Sequence, residues 1–320
     1  MARRPEAVCC GRATHRYTQD ALGSAPAWSF DSSMAKVGES MAKASQISKI
    51  PATQPRVRRG YFECRYGQLH VHNAIPPGGG FEESTSLLCL HRAPLSGRQF
   101  ERFLTLAGHD RSVYAPDVPG FGDSDAPTAR PTLLDYAASL GDFLDSMRFR
   151  QIDVLGCQLG ALIAAELAIA RPKQVRRVVL VSVPALTDAD RETFRLAQGQ
   201  AVATADGGYL VSEWQRVRDA YGPGVPPEVP ANALADRLRS GQQGAWATTA
   251  ILQYPARERL GLVTQPSLVL RPRDALWEAT QRVRELLPKA RLVDLPEHGQ
   301  GLFEASPEAA ADAMKDFLRG

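Results

Sequence analysis

The stretch Ile152-Asp153-Val154-Leu155-Gly156-Cys157-Gln158-Leu159-Gly160 decides how this chain is read. Residues 152–156 form a short apolar run of strand length, and residues 159–170 continue as an apolar helix. Working outward, residues 112–118, 175–183, 267–271 and 291–295 read as further strands, with helices following the last two. Before them, residues 61–65 and 68–73 flank Tyr66-Gly67 as a hairpin. Gly78-Gly79-Gly80 opens strand 85–91 rather than a helix, so it reads as a flexible connector and not as a phosphate cradle. Helices are expected at 97–108 and 131–147, the second with Leu133, Tyr136, Leu140, Phe143 and Leu144 at helical spacing. Strands alternating with helices define an α/β protein, here a mostly parallel eight-stranded sheet with helices on both faces.

Residues 186–264 interrupt this alternation. They contain Phe194, Tyr209, Trp214, Tyr221, Trp246 and Tyr254, broken by Gly-Pro-Gly-Val-Pro-Pro at 222–227. Such a length is too great for a plain connection, so the segment carries its own structure. Two or three helices over the carboxyl edge of the sheet fit best, as a cap that walls a ligand site and excludes water. The same aromatics, taken singly, serve equally well as the insertion's own core.

Composition sets outer bounds. The 320 residues are 44% apolar and 23% charged, which is globular usage. The longest apolar run, 161–170, is about half of a membrane crossing and contains Glu166, so no span is expected. A formal charge of +3 is too small to argue for a nucleic-acid partner. Residues 1–60 carry ten Lys/Arg against four Asp/Glu, leaving 28 against 31 for the rest. Residues 1–58 therefore read as a basic, disordered tail too poor in large apolar residues to fold, and residues 59–320 as the folded domain. Arg3-Arg4 is followed by no apolar segment that would make an export signal. The five cysteines, Cys9, Cys10, Cys64, Cys89 and Cys157, read as reduced thiols in a cytoplasmic protein.

Four landmarks in order resemble the α/β-hydrolase superfamily. His91-Arg92-Ala93-Pro94 is similar to its His-Gly-x-Pro loop. Ala115-Pro116-Asp117-Val118-Pro119-Gly120-Phe121-Gly122-Asp123-Ser124 matches its Pro-Asp-x-Pro-Gly-x-Gly-x-Ser loop. Gly156-Cys157-Gln158-Leu159-Gly160 occupies the place of its strand–turn–helix elbow, and Pro296-Glu297-His298-Gly299 the place of its histidine. The resemblance covers residues 60 to 320. At such an elbow the central side chain stands above the strand ends, and small residues two positions away let strand and helix approach. Gly156 and Gly160 set that register, and the central residue is Gln158. A carboxamide is a poor nucleophile, so an acyl-enzyme at this position is disfavoured.

Cys157 is adjacent but would not be aimed by the elbow, and it reads as a buried structural thiol. Ser124 reads as a turn former, and Ser96 and Ser182 carry no signature. The resemblance makes Asp274, in Leu268-Val269-Leu270-Arg271-Pro272-Arg273-Asp274, the partner of His298, fixing its tautomer. It also implies oxyanion donors at the backbone N–H of Ala93 and Leu159. Arg92 stands where that loop usually has glycine. It either turns to solvent or projects a guanidinium inward, in which case it would favour a carboxylate or phenolate on the substrate. Arg92, Cys157, Trp214 and Trp246 are candidates for substrate contact. His91 is expected to organise its loop, and His15, His70, His72 and His109 gain no support. No histidine pair is read as having metal spacing and no dinucleotide fingerprint occurs, so no metal or cofactor is expected.

Three functions follow. In the first, His298 is a general base acting on water or a substrate proton, with Gln158 positioning the reactants. Hydrolysis of an ester, lactone or C–C bond in a small apolar or carbonyl-bearing molecule fits, as does lyase-type proton abstraction. In the second, the fold and pocket serve binding of a small molecule or partner without chemistry. In the third, an unrecognised serine acts as nucleophile. Oligomeric state is left open by the sequence.

Overall fold

The computed structural model describes residues 54–78, 84–199 and 203–320. The expected tail lies outside these residues except for 54–58, where the first strand has already begun. Gly79 and Gly80 of the connector also lie outside them.

Eight strands form one sheet: β1 (Arg56–Cys64), β2 (Gly67–Ile75), β3 (Leu87–Leu90), β4 (Val113–Pro116), β5 (Ile152–Cys157), β6 (Val175–Val181), β7 (Ser267–Pro272) and β8 (Arg291–Leu295). Their order is β1-β2-β4-β3-β5-β6-β7-β8. The β1–β2 hairpin pairs antiparallel, with Cys64 opposite Gly67, and β2 joins β4 antiparallel. All remaining pairs are parallel. β3, β4, β5 and β7 are buried along their whole length, as strands covered on both faces require.

Two cores cover the sheet. On one face α1 (Glu101–Ala107) with the 3-10 turn Gly97–Phe100 before it, α10 (Leu302–Ala305) and α11 (Pro307–Arg319) bring Phe100, Phe103, Phe303, Met314 and Leu318 against Leu155, Val179 and Leu268. Phe303 meets Phe100 and Phe103 edge to face, at ring-centroid distances of 4.8 and 5.4 Å, the geometry that ring quadrupoles favour. On the other face lie α2 (Leu133–Ser146) and α3 (Leu159–Ala170). A capping box starts α2: the Asp135 N–H donates to Thr132 Oγ1 (3.2 Å), and the Thr132 N–H to Asp135 Oδ2 (2.9 Å). This satisfies two N–H groups that a helix start otherwise leaves bare.

Between β6 and β7 the insertion holds four helices among the described residues, one more than the upper expectation. They are α4 (Asp188–Gln198), α5 (Tyr209–Tyr221), α6 (Glu228–Gln253) and α7 (Ala256–Leu260). Gly241 breaks the regular path of α6 with φ 48° and ψ −132°, a conformation open to glycine at little cost. Short helices α8 (Trp277–Gln281) and α9 (Val283–Leu286) link β7 to β8. No described helix is long and apolar enough to cross a membrane.

Candidate active site

The turn from β5 into α3 places Gln158 at φ 49° and ψ −107°, a left-handed conformation that is strained for a residue with a side chain. Its amide makes no capping bond to the helix. The first N–H groups of a helix have no acceptor within it, so the start of α3 offers donors to a ligand. Ala93 and Gln158 line one cavity of about 130 Å³, together with Arg92, Tyr221, Arg237 and Gln300. Core loops supply one wall and the insertion the other, so α5 and α6 stand over the strand ends. Trp214 and Trp246 belong to these same two helices but are not among the residues lining this cavity.

Cys157 is 4% exposed, and burial above all pushes its thiol up to about 12, against the pull of Arg92. A neutral thiol that water does not reach is a poor nucleophile. Asp274 is held above the usual carboxylate range by burial, while the Ser182 hydroxyl and the Leu276 N–H favour its charge. Ser182, which carries no sequence signature, has φ 52° and sits at the end of β6 beside this carboxyl. The loops bearing Asp274 and His298 are joined through the backbone, the Arg273 N–H donating to the His298 carbonyl at 2.6 Å. The His298 side chain is half-buried, and no hydrogen bond or ion pair joins it to Asp274 among the described residues.

Arg92 is turned inward, which removes the solvent-facing alternative. It is 4% exposed, donates to the Tyr221 hydroxyl and to Glu304 Oε1 (3.1 Å), and lies over the Tyr221 ring. Tyr221 in turn donates to Glu304 at 2.9 Å. Burial opposes the charge on Arg92, and Tyr221 and Glu304 more than offset it, so the guanidinium is firmly protonated. This network ties the end of α5 to the loop after β3 and to α10. Its members lie up to 212 residues apart, beyond any local pattern.

His91 organises its loop. Val118 N–H donates to its Nε2 at 2.8 Å, which leaves Nδ1 to donate to the Arg92 carbonyl at 3.0 Å. Ser124 closes the neighbouring turn, accepting from the His70 N–H (2.9 Å) and donating to the Asp117 carbonyl (2.7 Å).

The metal-spacing expectation needs correction. His70 and His72, two apart on β2 and so on one face, converge on Asp117, and the three ligand atoms lie within 4.8 Å of one another. The cluster nonetheless fits a cation poorly. Asp117 already accepts from the Gly97 N–H (2.6 Å), the Asp123 N–H (2.9 Å) and His70 Nδ1 (2.8 Å), and Arg59 and Arg98 bear on the same space. It buttresses the loop that carries residues 117–123.

Burial pushes His72 down to about 4 despite Asp117, and its Nδ1 has no partner. Between that value and its unfolded value of about 6.5, the unfolded chain binds the extra proton. Stability therefore rises with pH across this window and is lost on acidification. Urea unfolding from about pH 7 down to about pH 4 is expected to show a loss of about 3 kcal/mol from this residue. His72→Leu should flatten that part of the profile; an unchanged profile would show that His72 is not what titrates.

The strained elbow between a buried parallel strand and its helix, with an insertion over the strand ends, defines a class, and the comparisons agree. The chain belongs to the alpha/beta hydrolase family, whose model matches residues 77–313. It is 27% identical over 244 residues to 2-(acetamidomethylene)succinate hydrolase of Mesorhizobium japonicum, covering 70% of this chain and 82% of that protein. A local match of 35% over 86 residues joins it to an uncharacterized protein of Mycobacterium tuberculosis, and this chain spans about a quarter of that relative's length. Among solved structures, the enol-lactonase of Burkholderia xenovorans superposes with a TM-score of 0.68 at 16% identity, over 82% of this chain and 100% of that one.

Proposed function

We propose that this chain is a small-molecule hydrolase that activates water directly rather than through a side-chain nucleophile. His298 takes a proton from water, and the oxygen attacks a carbonyl carbon. The carbonyl oxygen, as it gains charge, accepts from the N–H groups of Ala93 and Leu159. The imidazolium then returns its proton to the leaving group. Gln158, unable to form an acyl-enzyme, orients the water through its amide, and Asp274 stabilises the imidazolium. Esters, lactones and 1,3-dicarbonyl compounds are the substrate types that suit such a step.

The observation that carries this reading is the elbow. Holding Gln158 in a left-handed conformation costs on the order of 1–3 kcal/mol. It sets a polar side chain at the cavity beside a helix start whose first N–H, that of Leu159, has no acceptor within the helix. The open Asp274–His298 arrangement is of the kind that ligand-free sites often show before substrate tightens them.

The same opening favours a second reading, a protein that binds a small molecule without turning it over. Turnover of an ester, lactone and β-diketone panel separates the two. His298→Ala is expected to lower kcat/KM by about 10²–10⁴. Full turnover in that variant refutes the general-base role. No turnover by the unaltered protein, with a ligand-induced rise in Tm, favours binding. Stoichiometric labelling by a fluorophosphonate would point instead to a serine nucleophile.

A further inference from the structure

We infer that the cavity beside Gln158 takes a small organic acid whose carboxylate is held by Arg216 and Arg237 of the insertion. This deepens the hydrolase reading by naming the substrate class. It rests on that reading for the acid being a substrate, but not for its being bound.

The charged side chains lining the cavity are Arg92, Arg216 and Arg237, and no carboxylate lines it among the described residues. The charge on Arg92 is met by Glu304. Arg216 and Arg237 are differently placed, because the two share one carboxylate. Arg237 Nε donates to Glu213 Oε2, and Arg216 Nε stands 3.4 Å from Glu213 Oε1. Both guanidinium groups also donate to the Gly199 carbonyl, Arg216 Nη1 at 2.7 Å. Two cations on one anion leave a positive charge uncancelled at the wall.

Arg237 and Glu213 are both buried and paired, so the surplus charge falls on Arg216, whose side chain is half-exposed at the cavity mouth, and a bound anion would relieve part of it. The remaining guanidinium nitrogens, Arg216 Nη2 and Arg237 Nη1, donate to no described acceptor. Guanidinium N–H groups donate readily to a carboxylate, and the bond is strengthened by the opposite charges.

The rest of the cavity suits the other end of such a molecule. Val217, Ala220 and Ala233 give an apolar wall, and Gln158 and Gln300 give amides. A volume of about 130 Å³ is close to the roughly 150 Å³ that admits a benzene ring, which sets the occupant at about six to nine non-hydrogen atoms.

The test uses the full chain and two probes of equal size, benzoate and uncharged benzamide, titrated by calorimetry. Benzoate is expected to bind at least tenfold more tightly, with the preference shrinking as salt is raised. Arg216→Gln, at a half-exposed side chain, should weaken benzoate at least fivefold without moving benzamide, and Arg216→Lys should restore part of the loss. Equal affinity for the probes, no binding of either, or benzoate binding undiminished in Arg216→Gln overturns the inference. Benzoate binding without turnover of any ester leaves it standing and removes the hydrolase reading. Turnover of neutral esters with no preference for acids does the reverse.

Discussion

Gly160→Ala is expected to cost about 4 kcal/mol or more, enough to unfold a domain of ordinary marginal stability or nearly so. Gly160 lies where α3 passes against the end of β3. A Cβ there would stand 2.8 Å from the His91 carbonyl oxygen and closer still to that of Leu90. These are backbone atoms of a fully buried strand and its following loop, so no flexible side chain is available to yield. The clash can be relieved only by moving the helix start, and that displaces Gln158 as well. At about 2–4 °C per kcal/mol the loss should appear as a fall in Tm on the order of 10–15 °C, or as an insoluble product. Ala161→Gly, one residue on, is the control: it should cost only about 1–2 kcal/mol, through helix propensity and the loss of one buried methyl. A Tm for Gly160→Ala within 2–3 °C of the unaltered protein would show that strand and helix are not in such close approach.

That dependence explains why the fold was legible. A glycine on each side of Gln158 marks a backbone approach, and approaches of that kind leave a local, countable trace in sequence. Strand runs at 152–156 and 267–271 and the helix at 159–170 were readable for the same reason, since burial along a short segment shows in neighbouring residues. The insertion was less legible. In α6 apolar and polar residues are mixed along the helix and Gly241 breaks its path, so the sequence gives no clear count of the insertion's helices.

Side-chain partnerships were the least legible. Arg92 could be flagged as unusual, but nothing local tells that Tyr221 and Glu304 come to meet it. Asp274 could be placed in its loop, but not the Ser182 hydroxyl at its side. His70 and His72 were readable as a same-face pair on a strand, and attention to period-two spacing would have found them.

Glu304→Ala is expected to destabilise the protein by about 3–5 kcal/mol, because it strands a charge rather than merely deleting a contact. Arg92 is 5% exposed at its side chain, and its Nε already lacks a partner. With Glu304 gone, the Tyr221 hydroxyl would be the guanidinium's remaining side-chain hydrogen-bond partner among the described residues, and a neutral oxygen does not repay the lost hydration of a cation. Arg92→Met should cost less, about 2 kcal/mol, since the Glu304 carboxyl is 13% exposed and keeps water and the Tyr221 hydroxyl as partners. The double variant Arg92→Met with Glu304→Ala removes both charges, so it should be more stable than Glu304→Ala alone. The expected coupling, read from urea unfolding of all four proteins, is about 2–3 kcal/mol. Strict additivity would mean that the two side chains do not pair in solution. Tyr221→Phe should then have no effect on stability. If the coupling is found, Tyr221→Phe should cost about 1 kcal/mol, because the phenol then donates to the same carboxylate that anchors Arg92.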